Sequence, residues 1–216
     1  MPQRALYEQR PWLLASLAAA ILYAFVRDSA MPEPFQLALK GASLALLAAY
    51  ALLRHSGAEA RAMAAVMAIA AVGSTAIDMF FEAGVALLVV AYGLGALFFL
   101  RHGREAASPS QKGAALAMLV LTPAIAWLES GSPTATISAV ALAFMAASAW
   151  TSAFPRYRVG MGAVLLVFAT LVSLAPLASI KVKETANLAV WPAYYFGLFL
   201  LCVGVVTSKR KHQDDS

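Results

Sequence analysis

Lys40 is the residue hardest to reconcile with its surroundings. Between Glu33 and Arg54 it is the one charged side chain in an otherwise apolar run. An ammonium there is costly unless its stem carries it to the surface, or an acidic partner or a wet cavity holds it inward. With the run entering an apolar layer near Phe35, Lys40 is about 8 Å deep at ~1.5 Å per residue, which leaves both outcomes open. Asp78 and Glu82 flank the turn between the third and fourth apolar runs and reach a comparable depth. They read either as ordinary interfacial residues of a hairpin or as partners for the lysine. Ser74, four residues before Asp78, shares its helix face and places a hydroxyl beneath the carboxylate. Glu129, where the fifth run ends, reads as a plain loop carboxylate.

Two later runs add hydroxyls at the same level. Tyr194 and Tyr195 lie inside the last run, below Trp191 and beside Pro192, whose ring removes a helical hydrogen bond. An aromatic belt at the interface accounts for Trp191; the tyrosines are deeper, so one of them is expected to aim its hydroxyl inward. Thr170 and Ser173 in the seventh run, near Pro176, read either as small polar packing residues or as further members of the group. A cation, a carboxylate and hydroxyls within an apolar wall suit an amphipathic ligand, its tail among Leu and Phe and its head on the charges. The same Lys40 and Asp78 would also serve a small transporter as a proton or ion relay.

Other chemistries find no support in the residues. His55, His102 and His212 fall between runs or in the tail without ligand spacing, and the single Cys202 excludes an intramolecular disulfide and a thiolate-rich metal site. No metal and no cofactor is therefore expected, since Gly-x-Ser-x-Gly, HExxH and phosphate-binding glycine loops are also missing. The Gly93-Leu94-Gly95 run lies mid-span and reads as a helix contact. A net charge of +5 does not imply nucleic acid, because the basic residues sit beside apolar runs rather than on a soluble face.

The elements that carry these residues follow from composition. Of 216 residues, 62% are hydrophobic and 12% charged, which excludes an ordinary soluble domain. Eight apolar runs, at about 11–26, 35–53, 62–80, 83–100, 113–128, 134–153, 159–179 and 188–207, predict an all-α polytopic membrane bundle forming a single domain over 1–216. The first run reads as a span rather than a cleaved leader, because the spans that follow need a paired start. Of the 16 Lys and Arg, Arg27, Lys181 and Lys183 lie on the side away from the N terminus and Lys40 lies within a span, while the rest gather on the N-terminal side. That asymmetry places both termini in the cytoplasm. The basic tail Lys209-Arg210-Lys211-His212 reads as a stop-transfer segment and an anionic-lipid contact. Nothing in the chain speaks to its oligomeric state.

The order of spans and motifs, from about Trp12 to Val206, resembles the YhhN family, membrane proteins related to animal lysoplasmalogenases. Lys40-Gly41 looks like that family's Lys-Pro at the start of the second span. Gly73-Ser74 looks like its Gly-Asp in the third, with serine in place of the acid. The segment from Gly84 to Phe99 is similar to one that carries a His where this chain has Tyr92. Gly162-Ala163 and Phe168-Ala169-Thr170 resemble the family's Gly-Ala-x-x-Phe-x-x-Ser-Asp stretch, and Tyr194, Tyr195 and Gly197 its Tyr-Tyr stretch. The resemblance implies an integral protein of the bacterial inner membrane that hydrolyses the vinyl ether of a lysophospholipid to a fatty aldehyde and a glycerophospho-alcohol. It implies Asp78 as the acid in place of the missing one, Lys40 on the lipid phosphate or tuning Asp78, and Tyr195 orienting the water. Ser74, Tyr92, Thr170 and Tyr194 would contact the substrate. A noncatalytic lipid-binding relative is the other expectation the substitutions allow.

Overall fold

Local punctuation turns the apolar runs into helices of defined length. In the computed structural model, residues 10–54, 57–175 and 180–214 are described, with side chains described for 11–54, 57–175 and 188–208. His55, Pro176 and the expected end of the seventh run at 179 lie outside the described residues, as do the side chains of Lys181, Lys183 and the 209–212 tail. In chain order the helices are α1 (Arg10–Val26), α2 (Glu33–Arg54), α3 (Ala58–Met79), α4 (Phe81–Arg101), α5 (Pro109–Ser130), α6 (Pro133–Thr151), α7 (Met161–Leu174) and α8 (Ile180–Asp214). A single wide turn, Arg156–Gly160, leads into α7.

Among the described residues, seven segments are long and apolar enough to cross a membrane, and Pro11–Val26 is a shorter apolar helix. At ~1.5 Å per residue, the 22 residues of α2 or α3 span about 33 Å, close to a hydrocarbon layer of ~30 Å. The chain is thus an all-helical bundle of membrane-spanning type. Differences from the expected limits are small and have causes. The α3–α4 turn is a single residue, Phe80, and not the expected pair of Phe81 and Glu82, because Phe80 N–H donates to Ala76 O while Phe80 O accepts from Gly84 N–H. Ser108 starts α5 with a reciprocal cap to Gln111 and Pro109 at the first turn, where a missing N–H costs nothing. Gly131, at φ 58°, closes the same helix in the left-handed region that glycine tolerates. The helix α8 extends beyond the expected 188–207 at both ends, its apolar part being Leu188–Ser208.

Helices α1 to α4 pack as successive neighbours, α4 passes to α6, α6 to α7 and α7 to α8. Helix α8 returns to α1, α2 and α3 and closes the ring, while α5 stands outside against α6 and α7. Leu44, Leu47, Met67, Leu142, Leu166 and Leu198 are fully buried between these helices. Two close crossings set the geometry. A Cβ on Gly84 would lie 2.3 Å from Ile77 N, and one on Gly162 would lie 2.6 Å from Gly197 O, so backbones meet there without side chains between them. Gly84→Val is accordingly expected to cost roughly 3 kcal/mol or more, at the upper end of overpacking effects, because the clash is with backbone. Unfolding in detergent micelles measures it; an unchanged midpoint would contradict the crossing.

Candidate functional site

One end of the bundle opens into a cavity of 520 Å³. Seven of the eight helices among the described residues reach it: the C-terminal parts of α1, α3 and α7, the N-terminal halves of α2 and α6, α4 from Phe81 to Tyr92, and the apolar start of α8. It is the end opposite Arg54, Arg61, Arg101 and Arg156, which lie at the other helix termini. Helical spacing explains the lining. Phe81, Val85, Leu88 and Tyr92 form one stripe of α4; Ser74, Ile77 and Asp78 form one of α3; Trp191 and Tyr194 are three apart on α8.

The polar centre is an ion pair. Lys40 Nζ donates to Asp78 Oδ2 at 2.5 Å. Lys40 is 9% exposed, its stem enclosed by the bundle, whereas the Asp78 side chain is 36% exposed at the rim of α3. Of the two outcomes open for Lys40, the lysine is held by a carboxylate, and that carboxylate lies toward the rim. Gly41 permits the approach, since a Cβ there would come within 3.1 Å of Thr75 Oγ1. Glu82, the other expected partner, is exposed and does not line the cavity.

Below the pair lie three hydroxyls. Ser74 is buried and donates to Ala71 O at 3.1 Å, as a helical serine commonly does. Tyr92 is 2% exposed, and its hydroxyl and that of Ser74 are the neighbours of Tyr194 Oη. Tyr194 Oη itself is buried and finds no partner of hydrogen-bonding geometry among the described residues, which leaves it available to a ligand or a water. Thr170 and Ser173 line the α7 side, where Ser173 Oγ donates to Thr170 O.

Six of the seven expected residues, Lys40, Asp78, Ser74, Tyr92, Thr170 and Tyr194, therefore line one cavity. Tyr195 does not. Its side chain is 1% exposed and its hydroxyl lies 2.8 Å from Ser16 Oγ, which in turn donates to Ser43 O at 2.6 Å. Adjacent residues of a helix point ~100° apart, so Tyr195 faces α1 and α2 while Tyr194 faces the cavity. The expected water-orienting role does not fit Tyr195; it ties three helices together. Tyr195→Phe is expected to cost about 1 kcal/mol of stability and to leave ligand binding unchanged, whereas Tyr194→Phe does the reverse. Unfolding and ligand-binding titrations on the two variants separate them.

Two other expectations need correction. Trp191 is not a belt residue: it is 5% exposed, donates from Nε1 to Ala20 O at 3.0 Å, and meets Tyr23 edge-on with ring centres 4.5 Å apart. Glu129 is not a plain loop carboxylate, since it is half-buried and Oε2 has no hydrogen-bond partner among the described residues. Sequence reasoning also missed Tyr23, Arg27 and Asp28, which bring a second ion pair to the cavity, Arg27 Nε to Asp28 Oδ2 at 3.1 Å. The signal was there: Arg27 is one of the few basic residues on the side away from the N terminus.

No group of His, Cys, Asp and Glu among the described residues could hold a metal ion. Comparisons with protein-family models, curated proteins and solved structures return no match.

Proposed function

We propose that this protein is a lysoplasmalogenase-like membrane hydrolase that cleaves the vinyl ether of a lysophospholipid. The observation that carries the reading is the Lys40–Asp78 pair set in an apolar-walled cavity at one end of a membrane-type bundle. The YhhN resemblance supplies the reaction class. A cavity of 520 Å³ is within the range of small-ligand clefts and takes a polar head with the adjoining chain. By the distribution of basic residues it opens toward the outer leaflet of a bacterial inner membrane.

The reaction needs a proton on the outer vinyl carbon, then water on the oxocarbenium ion. Asp78, at the rim, gives the proton. Water held by Tyr194 and Tyr92 adds to the cationic carbon and returns its proton to the Asp78 carboxylate. The resulting hemiacetal collapses to fatty aldehyde and the glycerol hydroxyl, so one water is consumed and Asp78 ends as it began. Ser74, Thr170 and the wall of α4 position the chain.

A second reading, a lysolipid-binding protein without turnover, is favoured by one observation. Asp78 Oδ2 accepts from the ammonium of Lys40, so the acid that the hydrolase reading needs is already engaged in an ion pair. The experiment that decides is incubation of the purified protein with a 1-alkenyl lysophospholipid. Equimolar fatty aldehyde and glycerophospho-alcohol support the hydrolase; saturable binding without aldehyde supports the second reading.

A further inference from the structure

The hydroxyls on the floor of the cavity differ in what they can offer a ligand. Ser74 Oγ commits its proton to Ala71 O. Tyr194 Oη is buried, has the Tyr92 and Ser74 hydroxyls beside it, and finds no hydrogen-bond partner among the described residues. Both phenols stand on helices that start at the cavity end, and a helical side chain tilts toward its own N terminus, so both aim their hydroxyls up into the cavity. Ser74 is four residues below Asp78 on α3, about 6 Å at ~1.5 Å per residue, so the phenols beside it lie deeper than the ion pair. Val85, Leu88 and Ala169 share the lining with them. A carbonyl oxygen suits this place: it is neutral, it only accepts, and its two lone pairs match two O–H donors.

The reaction proposed above delivers such an oxygen. The water oxygen that bonds to the cationic carbon stays on that carbon. When the hemiacetal collapses, its O–H proton is lost, the bond to the glycerol oxygen breaks, and the glycerol oxygen keeps the electron pair and takes a proton. The former water oxygen is then the aldehyde carbonyl, and it has not had to move from the phenols. We propose that Tyr92 and Tyr194 form a carbonyl site that holds the fatty aldehyde after the glycerophospho-alcohol has left by the rim. The charged product leaves toward water, whereas the aldehyde keeps two hydrogen bonds and an apolar wall, so its release comes last. The order of release rests on the hydrolase reading; the site itself is open to test with the aldehyde alone.

The test is the carbonyl stretch of hexadecanal bound to the full chain in detergent, isolated as the difference between carbon-13 and carbon-12 carbonyl probes. A band at lower frequency than that of hexadecanal in protein-free micelles, saturating as the sites fill, is the expected result. Tyr194→Phe and Tyr92→Phe each remove one donor and are expected to weaken binding of this population about 5-fold. Tyr195→Phe, whose hydroxyl is lost from the contact with Ser16, is expected to leave it unchanged. A 1-O-alkyl lysophospholipid, whose saturated ether the protein cannot cleave, is expected to displace the aldehyde. Wild-type protein without a lowered band overturns the proposal, as does a band that keeps its strength in both Tyr194→Phe and Tyr92→Phe. A phenol-dependent band that the lysolipid does not displace leaves the carbonyl site standing and removes the lysophospholipid reading.

Discussion

Asp78→Asn is expected to lower aldehyde release by about 10²–10⁴-fold, the usual contribution of a positioned acid, while lysolipid affinity changes little. The amide keeps the shape of the side chain and still accepts a hydrogen bond from Lys40, so the bundle remains folded. What it lacks is a proton it can give. Parallel single-turnover and binding measurements check the separation. Loss of affinity equal to the loss of rate would make Asp78 a binding group, and an unchanged rate would remove it from the chemistry.

The second large effect is on stability, and it is asymmetric. Asp78→Leu strands the ammonium of Lys40, which is 9% exposed, and is expected to cost about 3 kcal/mol, near the lower end for breaking a buried pair. Lys40→Met leaves behind a carboxylate that already reaches the rim, so about 1 kcal/mol is expected. The double variant replaces both charges with apolar groups and is expected to recover most of the larger loss. Denaturant unfolding in micelles gives all three values. Equal single-variant costs that simply add would contradict a pair in which the lysine is the enclosed member.

The architecture was legible because hydropathy and span length are local properties. Eight runs could be counted, and the depth of Lys40 and Asp78 along their helices followed from residue number alone. Depth brought Lys40, Ser74, Asp78, Thr170 and Tyr194 to one level of the bundle. Facing was harder, since it depends on how each helix is turned by its neighbours. Tyr194 and Tyr195 have the same depth and composition around them, and only the contact of Tyr195 with Ser16 and Ser43 across α1 and α2 separates their roles. Trp191 has the depth of a belt residue, yet the crossing of α8 with α1 turns it inward onto Ala20 O. Arg27 and Asp28 follow the last residue of α1, where a chain read by hydropathy is only a connection. The convergence of seven helices that brings them to the cavity is a tertiary fact. The short α3–α4 connection was legible from the narrow gap between two apolar runs, whereas the backbone approach at Gly73 and Gly84 shows only once the two helices are packed.

The central claim is that the end cavity receives a lysophospholipid head. It is tested most directly by determining the structure with the uncleavable 1-O-alkyl lysophospholipid bound. The account predicts the phosphate within about 4 Å of Lys40 Nζ, the reach of an ion pair, with the chain along Val85 and Leu88. Lipid found only on the outer surface of the bundle, with the Lys40–Asp78 pair undisturbed, would contradict it.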